Sequence, residues 1–355
     1  TANGYFHSQE GEWDSNGEAL WVFHRFTQLA GRPAKEQWRQ AILRGGRWIG
    51  RKRVRGDADE PHAGLLPAGF SAEHLGPNDY YYWDDFWGVA GLRAAARMAE
   101  AFDPAASREF DREAEAFAAA LERSLNGSVT RLGRPVIPAS PYRRLDAGAI
   151  GSLAGGYPLH ELPPDDPRLL GTVEFLVNHC FVGGGFFQDM IHSGINAYLT
   201  LHVAQVMLRA GDPRHLELMD AVARLASPTG QWPEAIHPRT LGGCMGDGQH
   251  VWAAAEWVLM VRNCFVREEG GRLILCSGIA SRWLQAGARM NFGPALTPFG
   301  PVTVAVAVDE ARIRVSYEAD WRGEPPPVII QLPGREAMQC EPDGQAVEIS
   351  FRGAA

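Results

Sequence analysis

The stretch Asn78-Asp79-Tyr80-Tyr81-Tyr82-Trp83-Asp84-Asp85-Phe86-Trp87, running into Gly88-Val89-Ala90-Gly91-Leu92, decides the reading of the fold. From Trp83 to Phe102 the periodicity is helical, with Ala and Gly concentrated on one side. A helix that is apolar nearly all round is a buried one. Its mouth carries carboxylates set among aromatic rings. A second stretch, Gln231-Trp232-Pro233-Glu234-Ala235-Ile236-His237-Pro238, repeats that chemistry further along. Hydrolysis of a glycosidic bond requires paired carboxylates, one acid to protonate the leaving oxygen and one base to activate water. Trp and Tyr add faces on which sugar C–H groups stack.

Outward from this helix, a pattern repeats. Asp14-Ser15-Asn16-Gly17 offers N-cap chemistry for a helix from Glu18 to Ala30, and Pro33 opens a second reaching about Lys52. After the buried helix, Pro104 opens a polar, Glu- and Arg-rich helix to Leu125. Then come a short small-residue segment, Asp146 to Ala154, and a helix from Pro167 to Cys180. A largely apolar helix from His192 to Ala210, an amphipathic one from Pro213 to Ala226, and a last one from Gly248 to Val266 complete the series. Apolar and amphipathic helices alternating in this way predict the inner and outer layers of an α/α barrel. The plain alternative is a helical bundle or solenoid. The barrel is favoured because the acidic and aromatic loops all precede buried helices, which gathers them at one end.

From Arg272 the period changes to that of strands. Arg272–Leu275, Val302–Val308, Arg312–Tyr317, Val328–Leu332 and Ala346–Phe351 are separated by Gly, Pro and Asp turns. The expected architecture is therefore mainly α: a barrel of inner and outer helices over residues 1–268, the catalytic domain, and a small C-terminal antiparallel β domain over 269–355.

Composition narrows the classes. The chain has 355 residues, 45% of them hydrophobic and 21% charged, an ordinary globular balance. A net charge of −8, with the basic residues scattered, argues against nucleic acid or an anionic membrane as partner. No apolar run approaches the ~20 residues of a membrane-spanning helix. Five cysteines without a CxxC pair read as reduced thiols, which with the lack of a signal-peptide pattern points to the cytoplasm. No cofactor or metal is expected. His237, Cys244 and His250 share a loop, but their spacing matches no zinc pattern, and the glycine-rich runs lack the Lys and Ser/Thr of a phosphate loop.

The helix mouths supply the candidates: Asp14 and Glu18; Asp79, Asp84 and Asp85; Arg143, Arg144 and Asp146; Gln188, Asp189 and His192; Glu234, His237, Asp247 and His250. Any one of these carboxylates taken alone is more often a solvated surface group. Their convergence at one end of a barrel is what gives them chemical weight. Trp13, Tyr81, Trp83, Trp87 and Trp232 are candidate stacking platforms, although core packing explains a buried aromatic at least as often.

This layout resembles the glucoamylase- and trehalase-like α/α-barrel (six-hairpin) glycosidases, which invert configuration using a carboxylic acid and a carboxylate base. The Trp83-Asp84 step matches the place of the acid, and Trp232-Pro233-Glu234 that of the base before the last inner helix. Gln231 to Trp252, with its Gly242-Gly243 loop, is similar to the trehalase lid and the helix after it. Gly185 to His192 occupies the place of a sugar-contacting stretch but lacks that stretch's Arg. The resemblance covers roughly residues 5 to 268 and accounts for about nine of about twelve barrel helices; either the others lie upstream of Thr1, or the barrel is incomplete or differently built.

What the resemblance implies is an inverting glycoside hydrolase acting on an oligosaccharide or glycoside. Asp84 is the expected acid, its pKa raised by burial and by Asp85, and Glu234 is the expected base. Asp85 is the second choice for acid. Asp14, Arg144, Asp146, Asp189, His192, His237 and His250 are left for the sugar. Two rivals remain: a sugar epimerase using His192 with His237 or His250, and a non-catalytic glycan-binding barrel.

Overall fold

The computed structural model describes residues 1–57, 59–71, 77–189, 193–340 and 347–350. Helix α1 (Ser15–Ala30) leads to α2 (Arg39–Lys52), then to the long buried α3 (Tyr82–Ala99) and the outer α4 (Pro104–Leu132). A 3-10 segment, Ala147–Gly155, precedes α5 (Pro167–His179), α6 (Ala197–Ala210), α7 (His215–Arg224) and α8 (Val251–Phe265).

The inner layer is α1, α3, the 3-10 segment, α6 and α8, each packed on the next from α1 round to α8. In α3 only Arg93 and Arg97 reach water, and in α6 every residue from Ala197 to Arg209 is buried. The amphipathic helices α2, α4, α5 and α7 lie outside. Local chemistry sets their ends. Asp103 and Asp166 cap α4 and α5 by accepting from backbone N–H groups, each with Pro at the first turn. Gly31, Gly133 and Gly211 close α1, α4 and α6 in the left-handed conformation.

Two close approaches fix α1 against α3. A Cβ on Gly17 would lie 2.2 Å from the Trp87 carbonyl oxygen, and one on Gly91 would lie 2.5 Å from the Gly17 Cα. The two helices therefore meet backbone to backbone, which only glycine permits. On the outside of α3, the Tyr82 hydroxyl sits 2.9 Å from the hydroxyls of both Ser124 and Ser128 of α4. The N-terminal segment is tied in by Asn16, which is fully buried and fully used. Its amide donates to Gly4 O and Gly45 O, and its oxygen accepts from Phe6 N.

The layer is uncovered along one side. Val251, Val258 and Leu259 of α8 are exposed, as are Val22 and Phe26 of α1. A cavity of about 430 Å³ opens between these helices, lined by Trp21, His24 and Leu259 among others.

The C-terminal part holds its own apolar cluster, built from Val266, Leu275, Val304, Val306, Ile313, Val315, Val328 and Ile330. Strands β6 (Val266–Glu269), β7 (Arg272–Leu275), β11 (Val328–Ile330) and β12 (Met338–Cys340) form one sheet; β8 (Arg289–Thr297), β9 (Gly300–Val308), β10 (Arg312–Ala319) and β13 (Val347–Ser350) form the other. Burial along β9 alternates residue by residue, the period of a half-buried strand. Arg322 fastens this part to the barrel by donating to Gln28 O and Leu29 O at the carbonyl end of α1.

Several sequence expectations need correcting. The segment after Pro33 forms only a 3-10 turn at Glu36–Trp38 before α2 starts at Arg39. Helix α4 continues to Leu132, past the expected end. The apolar helix expected from His192 starts at Ala197, because Gly194–Ile195 is instead a strand, β3, pairing with Phe187 and Ile236. It belongs to a small sheet read from sequence as loops: β1 (Phe181–Val182), β2 (Gly185–Gln188), β3, β4 (Ala235–Ile236) and β5 (Gly243–Met245). These strands are too short for any alternation to register. The C-terminal sheets are antiparallel except where β7 and β11 pair in parallel.

Candidate active site

The N-terminal ends of the inner helices gather the candidates in two groups. The first surrounds the start of α3. Asp84 is buried, 1% exposed. The Tyr81 hydroxyl lies within electrostatic reach of Asp84 and Asp79; burial, then these two charges, raise its pKa, while Arg143 lowers it. Tyr81 donates to Pro77 O at 2.8 Å and accepts from Arg143 at 3.4 Å. Arg143 also reaches Asp146 at 3.2 Å. The mouths of α3 and of the 3-10 segment are thereby joined through Tyr81 and Arg143. On the other flank, the Trp83 indole N–H donates to Asp14 at 2.7 Å. Burial pushes Asp14 up to about 6, against the opposing pull of that hydrogen bond.

Asp85 points elsewhere. It is fully buried and accepts from the backbone N–H of Leu66 at 2.8 Å, which ties the loop before α3 to the helix. Burial pushes its pKa up to about 8, with the Leu66 hydrogen bond and Arg53 pulling only partly back. Consecutive helical residues diverge by about 100°, and the two aspartates use that divergence to reach different surroundings.

The second group is the segment from Trp232 to His250. The backbone N–H of Glu234 donates to Asp247 O at 3.0 Å, and that of His250 to Trp232 O at 2.8 Å, folding the segment back on itself. Asn196, at the start of α6, donates to Glu234 O at 3.0 Å. Gly246 has φ +69, and a Cβ there would fall 1.8 Å from the Glu234 Oε2, so the turn leaves room for this carboxylate and nothing more. Glu234, Asp247 and His250 each present one ligand atom, all within 4.8 Å of one another. Among the described residues, these three are the group that could grip a divalent cation.

Aromatic contacts bridge the groups. Trp252, in the first turn of α8, lies 6.3 Å from Trp83, 4.6 Å from Tyr198 and 6.4 Å from His250. Tyr198, in the first turn of α6, lies 4.7 Å from His250. A continuous path of rings thus runs from Asp14 and Trp83 to the turn carrying Glu234.

Other candidates are placed differently. Trp13 packs between Tyr5 and Trp48, with the Lys52 ammonium 3.6 Å from its ring centroid, so its face is already occupied. Trp232 is buried against Trp257 and donates to Val222 O at 2.8 Å, which anchors the segment to α7. Trp87 is buried between Trp21 and Trp83. These three rings are core, and so are the other two expected platforms, Tyr81 and Trp83, which are only 1% and 2% exposed. Arg144 is 88% exposed and 3.9 Å from Asp146, while its neighbour Arg143 turns inward toward Tyr81 and Asp146. Asp146 caps the 3-10 segment through Gly148 N. Asp189 is exposed just beyond β2 rather than at a helix mouth. His237 spends its Nδ1 accepting from the backbone of Arg239 and Thr240. His192 lies outside the described residues.

Sequence reading missed Tyr198 and Trp252. Both sit in the first turn of an inner helix, directly after the loops that were singled out, and that position was the available signal. It also passed over an outer cluster. His62 stacks on Tyr80 at 4.2 Å and meets the hydroxyl of the exposed Tyr142 at 2.6 Å, next to Tyr81 and Arg143.

The α/α-barrel architecture is similar to that of solved glycosidases, a glucoamylase among them. Similar solved structures include a glycosidase point variant in complex with glucose, with a TM-score of 0.56 at 17% identity, covering 72% of this chain and 67% of that one. A bacterial glucoamylase complexed with acarbose matches at TM-score 0.51 and 13% identity, over 72% of this chain and 41% of the glucoamylase. A metal-independent α-mannosidase from Streptococcus pneumoniae, in a non-productive complex with α-1,6-mannobiose, gives 0.52 and 13%, over 72% and 69%. The chain spans 66% of the length of a wild-type glycosidase that it also matches. No protein-family profile matches the sequence, and a search of the curated proteins gives no match.

Proposed function

We propose that the chain is a glycoside hydrolase that cleaves by single displacement, with Asp84 as the acid and Glu234 as the base. One observation carries this reading. The ring path Trp83–Trp252–Tyr198–His250 connects the helix mouth bearing Asp84 to the turn bearing Glu234, with a polar arm, Tyr81–Arg143–Asp146, alongside. In that path Trp83 and Tyr198 are buried, and the partly exposed Trp252 and His250 offer the face on which a sugar ring can stack. The neighbours in fold support the same class, being glycosidases, one in complex with glucose and another with acarbose.

Asp84, buried at the mouth of α3, is assigned the proton that passes to the glycosidic oxygen. Glu234, in the more open turn, removes a proton from water on the opposite face. Inversion needs the two carboxyl groups about 6.5–9.5 Å apart, wide enough for that water. Arg143, Tyr81 and Asp14 would hold hydroxyl groups of the sugar. The test is a screen of aryl glycosides and disaccharides, with the anomer of the first product read by NMR. Asp84→Asn and Glu234→Gln are each expected to cost about 10²–10⁴-fold in turnover. Full activity in either variant, or retention of configuration, overturns the assignment.

A further inference from the structure

The cavity between α1 and α8, about 430 Å³, is used by nothing in the reaction just described. It draws on the later turns of the inner helices, with Arg25 and Gln28 from α1, Arg209 from α6 and Arg262 from α8, whereas the catalytic candidates sit at helix mouths. Along α6, about 16 Å of helix separates Tyr198 from Arg209. Arg267 and Glu268 of β6, and His160 from the loop after the 3-10 segment, also line it.

The charges at this end do not balance. Glu268 accepts from Arg262 at 2.6 and 2.8 Å and is shared with Arg25 at 3.2 Å. Glu269 accepts from Arg209 at 2.7 and 2.8 Å and is shared with Arg267 at 3.2 Å. Four guanidinium groups thus share two carboxylates, and Arg209 and Arg267 are buried. Glu256, the other acidic group near Tyr157, is lifted by burial to about 7, and even when ionised it leaves the positive side ahead. Arg209 and Arg262 have most of their donors engaged, since they also donate to the carbonyls of Gly156 and Leu296. Among the described contacts Arg25 donates only to Glu268, and Arg267 adds only Ser277, so both keep N–H groups to give. His160 has φ 58, in the left-handed region that few non-glycine residues adopt, and its ring makes no hydrogen bond among the described residues. Enclosure by the cavity, then Arg209, push its pKa down to about 4.

A buried positive charge without its counter-charge is costly, and low-dielectric walls concentrate its field in the space they enclose. We propose that this cavity binds a doubly charged oxyanion, phosphate or the phosphate group of a small metabolite, with Arg25 and Arg267 as its donors and His160 alongside. Two negative charges offset a surplus that a single carboxylate would leave. Phosphate oxygens match the guanidinium fork. The apolar rim of Trp21, Leu29 and Leu259 has room for the rest of a ligand, in the size range of small-molecule pockets.

Thermal melting with inorganic phosphate tests this, at constant ionic strength and with acetate as the singly charged control. Phosphate is expected to raise the melting temperature by about 2 °C along a curve that saturates by about 10 mM, and acetate to leave it unmoved. Arg25→Gln, at a half-buried position, should weaken the apparent affinity about tenfold. Gln28→Glu adds a carboxylate to the lining one turn from Arg25; it should stabilise the phosphate-free protein and remove the response. Glycerol 3-phosphate separates the two sources: tighter binding than inorganic phosphate marks a phosphorylated metabolite, weaker binding the free ion. No response, or one that either substitution leaves unchanged, overturns the proposal. So does a rise that stays linear in phosphate, which is the ion's general salting effect. None of these readouts depends on hydrolysis of a glycoside.

Discussion

Replacing Asp85 with Asn should make the protein more stable at neutral pH without removing activity. Asp85 is fully buried, accepts one hydrogen bond from Leu66 N, and has its pKa raised by burial from 3.8 to about 8. Below pH 3.8 the carboxyl is protonated both folded and unfolded, and the fold carries no penalty. Between 3.8 and about 8 the unfolded chain releases this proton while the folded chain keeps it, so stability is lost as pH rises. Each pH unit in that window costs about 1.4 kcal/mol, and from about pH 4 to about pH 7 the loss is about 4 kcal/mol. Asparagine cannot ionise and still offers an oxygen to Leu66. Urea unfolding at intervals from about pH 5 to about pH 7.5 reads the effect. The difference in ΔG between variant and parent should widen by about 1.4 kcal/mol per unit. Parallel pH profiles would refute the burial argument. A variant stable but inactive would instead give Asp85 a part in the chemistry.

Three other outcomes follow from the geometry. Gly246→Ala should lower kcat sharply while costing only about 1–2 kcal/mol of stability, since the position is an exposed left-handed turn whose Cβ would strike Glu234; kinetics and thermal melting together check this. Gly17→Ala should destabilise by at least about 1–3 kcal/mol, because its Cβ would enter the Trp87 carbonyl at 2.2 Å and part α1 from α3; a melting temperature unchanged from the parent would contradict that contact. EDTA should leave glycoside hydrolysis untouched, as two carboxylates suffice for it. Loss of turnover on chelation, restored by a divalent ion, would make Glu234, Asp247 and His250 ligands rather than a base and its surroundings.

The sequence made the barrel legible wherever burial was extreme. A helix such as α3, apolar nearly all round, has few places to go but an inner layer, and the capping pairs Asp103-Pro104 and Asp166-Pro167 marked their helices sharply. It was less informative where two or four residues form a strand: β3 is held by pairing to Phe187 and Ile236, which no local pattern announces. The site was legible as a set of loops but not side chain by side chain. Trp13 and Trp232 have the composition of platforms and the surroundings of core, and Arg143 and Arg144 exchange their expected places because one residue decides which of them faces Tyr81. Asp84 and Asp85 look equivalent in sequence. Only the position of Leu66 N, from a distant loop, separates them.

The glycine seam between α1 and α3 makes the two sides, or walls, of the proposed site mechanically unequal. With main chain resting on main chain at Gly17 and Gly91, no compressible layer of side chains lies between the helices that bear Asp14 and Asp84, and that wall behaves as a single stiff block. The opposite wall is a turn exposed from Leu241 to Gln249, attached through a few backbone bonds and the Trp232 anchor. A bulkier ligand would therefore be accommodated by give on the Glu234 side, while the carboxyl groups borne by the α1–α3 block stay where they are.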